Sequence, residues 1–135
     1  MKFALFILAS WTENDTAHQR RIYHEALEQV RYAEALGFDA VWIAEHHSSR
    51  YGIFPSLMPI LAHIAAQTKT IRLGAGVSVL PFHHPIRLAE EAAMVDVLSD
   101  GRLNFGVVHR PRIMSNASWN RVSREAKSIL KLPYS

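Results

Sequence analysis

The chain has 135 residues, of which 49% are apolar and 20% are charged, with a net charge of +3 and no cysteine. This length is sufficient for one globular domain with its own hydrophobic core. A sequence without cysteine excludes disulfides and thiolate chemistry and suits a reducing cytoplasm. No apolar run in it is long enough to cross a bilayer, so we predict no membrane-spanning segment.

Apolar segments that predict β-strands begin near residues 3, 40, 71 and 102. A helix pattern follows each of the first three, and this alternation is typical of a repeated strand–helix unit with a parallel sheet. The apolar start also has the minimum length of a secretory signal. Because a helix pattern follows it at the spacing that a strand–helix unit requires, we predict a first buried strand over residues 2–9 instead.

Amphipathic helix patterns separate the predicted strands. Gly37 is predicted to end the first helix, and Pro85 to begin the third. The predicted buried face of the first helix consists of Ile22, Ala26, Val30, Ala33 and Leu36. The predicted buried face of the third helix consists of Ile86, Ala89, Ala93 and Val97.

The third strand pattern, residues 71–80, contains two glycines, Gly74 and Gly76. Glycine inside a strand indicates a β-bulge or the close approach of another group to the backbone. The pair is not a dinucleotide-binding fingerprint, because it lies within the strand and no third glycine opens the next helix.

Titratable side chains follow the second strand, where Ala40–Ala44 runs directly into Glu45, His46 and His47. Parallel sheets and barrels place their active sites at the C-terminal ends of strands. An imidazole there suits acid–base catalysis, but it is equally a common polar residue that only packs and hydrogen-bonds. Glu45 and His47 are expected to point away from His46, because side chains alternate along a strand, and to orient neighbouring groups.

A second histidine pair, His83-His84, follows the third strand and raises the alternative of a zinc site with His46, His47 and Glu45. Zinc needs three or four side chains that converge on one point. Since adjacent strand residues diverge, each pair would give one ligand, and we predict no metal.

The last part of the chain, residues 109–135, is basic, with six lysines and arginines against Glu125 alone. Such a segment raises the alternative of a nucleic-acid-binding surface. Only Trp119 and Tyr134 are available for base stacking, and the segment has no glycine, so we predict no nucleic-acid partner. We predict a divergent basic tail with a helix at 122–132.

Several short motifs also occur in a particular order over the first 107 residues. They are Met1-Lys2-Phe3, Gly37-Phe38-Asp39 leading to Trp42, Glu45-His46-His47, Leu80-Pro81, His84-Pro85, Ala89-Glu90-Glu91, Leu98-Ser99, Gly101-Arg102 and Phe105-Gly106-Val107. In this order and spacing, the sequence resembles the bacterial luciferase-like flavin-dependent monooxygenases.

The resemblance implies a (β/α)8 barrel, also called a TIM barrel, that binds reduced FMN from a separate flavin reductase. Such enzymes use O2 to oxidise a small organic substrate such as an aldehyde. A full barrel needs roughly 250 residues. We therefore expect a partial barrel of four parallel strands with intervening helices over residues 1–108, truncated or shifted after strand 4 and weakly active or inactive alone. The alternative is a non-catalytic half-barrel that assembles with itself or a partner through open strand edges.

The resemblance also implies roles for individual residues. His46 matches the catalytic imidazole beside the flavin, and Gly76-Val77 falls where the family has a non-prolyl cis peptide that supports the flavin ring. Phe6 matches a flavin-pocket position, although a core residue is the alternative. Apart from the resemblance, Trp11 is expected at the substrate mouth, and a lid over the core is the equal alternative. Glu45 and His47 are expected to orient the site.

The sequence departs from the family pattern after Phe105-Gly106-Val107. The family continues with Gly-Arg-Gly, and the arginine helps to hold the FMN phosphate. Here the residues are Val108-His109-Arg110. Because a shift of one residue in a strand turns a side chain to the opposite face, the phosphate role is not assigned to Arg110.

Overall fold

A computed structural model describes residues 1–11, 16–47 and 50–109. Strands and helices alternate along them as β1 (Ala4–Ile7), α1 (Thr16–Ala35), β2 (Ala40–Ile43), α2 (Leu57–Gln67), β3 (Arg72–Val79), α3 (Pro85–Leu98) and β4 (Leu103–Val108), with a 3-10 turn at Leu80–Phe82. The predicted helix at 122–132 lies outside the described residues. No helix in the described ranges has both the length and the apolar character to span a membrane.

The strands form one sheet in the order β1-β2-β3-β4, and every neighbouring pair is parallel. Strands that follow one another along the chain are therefore neighbours in the sheet, with a helix connecting each to the next. This is the arrangement of successive units in a (β/α)8 barrel. The predicted partial barrel of four parallel strands is confirmed.

One face of the sheet is buried beneath the helices. Side chains alternate between the two faces of a strand, and those on the buried face include Ile7, Val41, Ile43, Leu73 and Ala75. The opposite face, which we call the open face, carries the aligned residues Phe6, Trp42, Gly74 and Asn104. Because the described helices cover only the buried face, the open face is available for a ligand or for further chain.

The buried face of α1 follows the prediction except at Leu36, which is 59% exposed. The helix ends one residue earlier, at Ala35. Gly37 has a φ of +79°, and the N–H of Phe38 donates to the carbonyl of Ala33. Gly37 thus ends the helix as predicted, and the turn directs Leu36 away from the core.

The predicted buried face of α3 is wrong. Ile86, Ala89, Ala93 and Val97 are exposed, and the buried residues are Leu88, Ala92 and Val95. Both sets recur at helical spacing, and α3 is apolar on both sides. Packing against α2 and β4, rather than the pattern of the helix itself, determines which set is buried.

The glycines of β3 coincide with the predicted irregularity. The pairing of β3 with β4 shifts between Ala75 and Ser78, so β3 contains one extra residue there. The group that approaches the backbone is the indole of Trp42, since a Cβ atom added to Gly74 would overlap its Cδ2 and Cε3 atoms. The peptide bond between Gly76 and Val77 is cis, as the resemblance implied.

Glu34 joins the end of α1 to the connection between α2 and β3. Its carboxylate accepts hydrogen bonds from the N–H groups of Lys69, Thr70 and Ile71 at 2.7–3.0 Å. Burial acts to raise the pKa of this carboxyl, but these hydrogen bonds outweigh it and lower the pKa to about 2. The carboxylate therefore stays ionised and fastens α1 to the N-terminal end of the sheet.

A buried arginine connects the remaining elements at the same end. The guanidinium of Arg102 donates to the carbonyls of Ser99, Ile71, Ala65 and Thr68 and to the Thr68 hydroxyl, at 2.7–3.2 Å. These five bonds use all of its N–H groups. The acceptors belong to the C-terminal ends of α2 and α3 and to the start of β3, where helix dipoles favour a positive charge.

Candidate functional site

A buried carboxylate lies at the C-terminal end of β2. The side chain of Glu45 has 0% exposure, and it contacts the Nε2 atoms of His47 at 2.6 Å and of His83 at 3.0 Å. Both carboxylate oxygens contact His83, and the backbone N–H of Val79 donates to the same group. Glu45 therefore links the end of β2 to the turn that follows β3.

The charges of this cluster stabilise one another. Burial acts to raise the pKa of Glu45, but hydrogen bonds from His83 and His47 outweigh it and hold the pKa below the usual 4.5. The hydrogen bond to Glu45 raises the pKa of His83 above the usual 6.5, against the effect of burial and with a further contribution from Glu91. The contact with Glu45 therefore favours the protonated form of His83 and the ionised form of Glu45.

His46 turns to the other side of the strand end. Its ring packs edge-on against Tyr51, with centroids 5.4 Å apart, and its backbone N–H donates to the carbonyl of Phe54. The Nδ1 atom of His46 is buried and has no hydrogen-bond partner among the described residues. The predicted divergence of His46 from Glu45 and His47 is thus present.

Gly52 packs closely against this ring, although it is not among the predicted site residues. A Cβ atom at Gly52 would lie 2.6 Å from Cβ and Cγ of His46, and the glycine has a φ of +82°. Both features require glycine, because an L-residue is strained at that φ and its side chain would displace the imidazole. A glycine one residue after an aromatic in a polar loop is the signal that would have identified it.

The loops that follow β1 and β2 pack together beside His46. The N–H of Trp11 donates to the carbonyl of Arg50 at 2.7 Å, and the Arg50 guanidinium lies 5.4 Å from the centre of the Trp11 ring. Ser10 forms an antiparallel bridge with Tyr51. This places Trp11 at the same end of the sheet as His46, and its role at a substrate mouth stays a prediction.

The predicted flavin-contact residues lie on the open face. Phe6 is 59% exposed, so the alternative that it is a core residue is wrong. Val77 is 37% exposed, and a Cβ atom added to Gly106 of β4 would lie 3.2 Å from its Cγ1. Phe6 and Val77 are separated by β2, whose Trp42 lies over Gly74 and close to Gly76.

The histidine pairs do not converge as a metal site would. The Nε2 atoms of His47 and His83 are directed at Glu45 itself, and His84 is exposed at the start of α3. Over residues 1–11, 16–47 and 50–109, no group of three or more histidines and carboxylates could hold a metal ion.

Comparison with known proteins decides the family. A family model described as luciferase-like monooxygenase matches residues 1–114. The chain belongs to the luciferase-like monooxygenase family. This membership agrees with the parallel strand–helix units and with the placement of His46 at a strand end.

Several relatives of this luciferase-like chain are named monooxygenases. It is 41% identical over 107 residues to the oxygenase component of the flavin-dependent trigonelline monooxygenase of Acinetobacter baylyi, covering 79% of the chain and 29% of that protein. It is 40% identical over 99 residues to the limonene 1,2-monooxygenase of Rhodococcus erythropolis, covering 73% and 25%. The chain thus spans less than a third of these curated relatives.

Solved structures agree on the fold. The monooxygenase RslO1 of Streptomyces bottropensis superimposes with a TM-score of 0.78 and 28% identity, covering 96% of this chain and 42% of that one. The oxygenating constituent of 3,6-diketocamphane monooxygenase from Pseudomonas putida, solved in complex with FMN, gives a TM-score of 0.81 at 23% identity, covering 97% and 38%. The second match shows the fold alone.

Proposed function

We propose that this chain supplies the first half of the site of an FMN-dependent monooxygenase, which uses reduced FMN and O2 to oxidise a small organic substrate such as an aldehyde. The observation that carries the proposal is the half-buried imidazole of His46, whose buried Nδ1 has no partner among the described residues. The relatives named flavin-dependent or limonene monooxygenase support this chemistry.

The residues of the open face fit a flat and largely apolar ring with a polar edge. Phe6 and Val77 offer exposed apolar surface, and Gly76 contributes no side chain that would keep a ring away from the sheet. When bound there, reduced FMN would supply the electrons that activate O2. Phe6, Gly76 and Val77 are the proposed flavin contacts.

His46 is the proposed catalytic residue. Imidazole exchanges protons readily near neutral pH, and its Nδ1 can accept or donate a hydrogen bond according to its protonation. Tyr51 and Gly52 hold the ring in one orientation, while Trp11 and the pair Glu45 and His47 are proposed to border the substrate mouth and to orient the site.

The proposal also concerns the source of reduced FMN, the cellular compartment and the binding of the FMN phosphate. A separate flavin reductase would supply reduced FMN, which agrees with the name of the trigonelline relative as an oxygenase component. A cysteine-free chain suits the reducing cytoplasm, where we place it. The phosphate role is not assigned to Arg110, because its position is shifted by one residue from the family pattern. We therefore expect the 135-residue chain to bind FMN weakly and to show little or no turnover.

An NMR titration with oxidised FMN tests the proposed contacts. We expect shifts in the backbone amides of Gly76 and Val77 and in the rings of Phe6 and His46. The His46→Gln variant should weaken FMN binding about fivefold, because one hydrogen bond contributes about 1 kcal/mol. His24→Gln, on the exposed side of α1, is the matched control and should bind FMN like the wild type.

Three results would contradict the proposal: shifts confined to the helices, no shift at millimolar FMN, or equal FMN affinity of the His46→Gln and wild-type chains. Activity gives a further check. With reduced FMN, O2 and an aldehyde, the 135-residue chain should form no more product than reduced FMN alone. Robust product would show that the described half is already a complete site.

The open edges favour a second candidate function, a non-catalytic half-barrel that closes with a second copy of this chain. In the described part of the chain, β1 pairs only with β2, and β4 pairs only with β3. Phe105 and Val107 are exposed on the outer face of β4, which is the side opposite the open face. A cleft of about 360 Å³ lies between β1 and α1. Soluble proteins cover such edges. Pairing of β4 with β1 of a second copy would cover both edges of each chain.

Light scattering tests this assembly. A closed pair should have twice the 15.3 kDa mass of one chain. Val107→Lys should give a monomer, because it places a charge where the outer face of β4 would be covered by the other copy. Val97→Lys, at a valine on α3 that is more exposed than Val107, should remain a pair. A monomeric wild type, or a pair dissociated by Val97→Lys alone, would rule out pairing through the strand edges.

A further inference from the structure

We infer that Glu45, His47 and His83 are positioning residues for His46. In this role they fasten the end of β2 to the turn after β3, and so fix the direction in which the His46 imidazole faces. The functional meaning of this role rests on the proposed function, in which His46 is the catalytic residue. The positioning itself is a property of this chain and can be measured without flavin.

The cluster holds both peptide units beside His46. On the N-terminal side, the Glu45 carboxylate is bound by His83 and by the backbone N–H of Val79. On the C-terminal side, the His47 ring contacts Glu45 at 2.6 Å and packs on Phe82, with centroids 4.3 Å apart. Since its neighbours on both sides are fixed, the backbone of His46 is held, and with it the direction of the Cα–Cβ bond that carries the ring towards Tyr51.

The far end of the cluster is also rigid. The backbone N–H of His83 donates to the carbonyl of Leu80 at 3.0 Å and closes the 3-10 turn at Leu80–Phe82. That turn begins directly after β3, the strand that carries Gly76 and Val77. The cluster therefore sets the position of His46 relative to the proposed flavin contacts and not only within its own loop.

The fully buried carboxylate of Glu45 distinguishes this cluster from ordinary side-chain packing. A carboxylate removed from water is stabilised only if hydrogen bonds and opposite charge replace its hydration. Here the replacement comes from two histidines on different strand ends. Because His47 and His83 contact the same oxygen of Glu45, a change in the protonation of His83 alters the contacts on both sides of His46.

The direction of the pH dependence follows from the groups around His83. Glu45 and His47 face it from the end of β2, and Glu91 contributes from α3. The pKa of His83 is raised above the usual 6.5, so the contribution of the pair is fully present below that value. It is lost as the pH rises through the raised pKa. The position of His46 should therefore loosen on the alkaline side.

Histidine NMR of the 135-residue chain without flavin tests the inference. The edge-on packing on Tyr51 should give the His46 ring protons a ring-current shift and contacts to Tyr51 below neutral pH. Both should diminish with the same midpoint as the titration of His83. In Glu91→Gln that midpoint should move to lower pH, because a charge that favours protonated His83 has been removed.

The variants give the second readout. His83→Gln and Glu45→Gln should lose the ring-current shift of His46 while the circular dichroism of the helices is unchanged. His84→Gln, the exposed neighbour, is the matched control and should keep the shift. If Glu45→Gln fails to fold, His83→Gln and the Glu91→Gln midpoint still decide the question.

Two results would overturn the inference. One is a His83→Gln chain that is folded and has an unchanged His46–Tyr51 contact. The other is a His46 environment that does not follow the titration of His83. Failure of the proposed function gives a different result, in which FMN causes no shift on the open face although the positioning effects are present.

Discussion

Replacing Arg102 with leucine should lower the free energy of unfolding by about 4 kcal/mol, a loss large enough to abolish folding of a marginally stable domain. The substitution leaves the carbonyls of Ala65, Thr68 and Ile71 buried without the guanidinium that binds them. Each buried acceptor that loses its donor costs about 1–3 kcal/mol. Leucine restores apolar volume, so the loss comes from the hydrogen bonds and not from a cavity.

Urea unfolding followed by circular dichroism measures this loss. Arg87→Leu, at an exposed arginine of α3, is the matched control and should change stability by less than about 0.5 kcal/mol. Arg102→Lys keeps the charge but offers three donors in place of five, so it should fall between the wild type and the leucine variant. A loss below about 1 kcal/mol for Arg102→Leu would show that water satisfies the carbonyls instead.

The Arg102 contacts explain a motif that the sequence presented only as a family signature. Leu98-Ser99 and Gly101-Arg102 end α3 and begin β4. The carbonyl of Ser99 accepts from Arg102, and Gly101 turns the chain with a φ of +75°. These residues lie at the N-terminal end of the sheet, away from His46. In barrels of this type that end is associated with stability rather than chemistry.

The strands, their order and the end of α1 were predictable because each has a local signal. A continuous apolar run such as Val41–Ile43 is typical of a strand buried beneath helices, and Gly37 supplies a left-handed turn. The buried face of α3 had no comparable signal. Leu88, Ala92 and Val95 recur at the same spacing as the exposed Ile86, Ala89 and Ala93, so only tertiary packing distinguishes them.

The candidate site also combines features that were predictable from the sequence with features that were not. The divergence of His46 from Glu45 and His47 was predictable because side chains alternate along an extended chain. The contact of Glu45 with His83 joins residues 38 positions apart, and no periodicity relates them. The packing of Gly52 against His46 depends on how an irregular loop returns to the strand end. Long-range and loop contacts of this kind are set by the assembled sheet.

Gly74→Ala should destabilise the chain by about 2 kcal/mol, although alanine is small and is ordinarily more favourable than glycine in a strand. A Cβ atom at Gly74 would overlap Cδ2 and Cε3 of Trp42 and lie 2.9 Å from its Cγ. Atoms near the base of the side chain cannot move away by a small rotation. The indole must therefore move away from β3, into the space between Phe6 and Val77 on the open face.

A double-mutant cycle with Trp42→Ala, measured by urea unfolding, separates this overlap from any other effect of the substitution. Without the indole, Gly74→Ala should cost nothing or stabilise slightly, since glycine in a strand is unfavourable by about 0.5–1 kcal/mol relative to alanine. An equal loss in both backgrounds would mean that the overlap is not the cause. If the coupling is present, the lack of a side chain at Gly74 is required to accommodate Trp42, and this contact determines the shape of the open face.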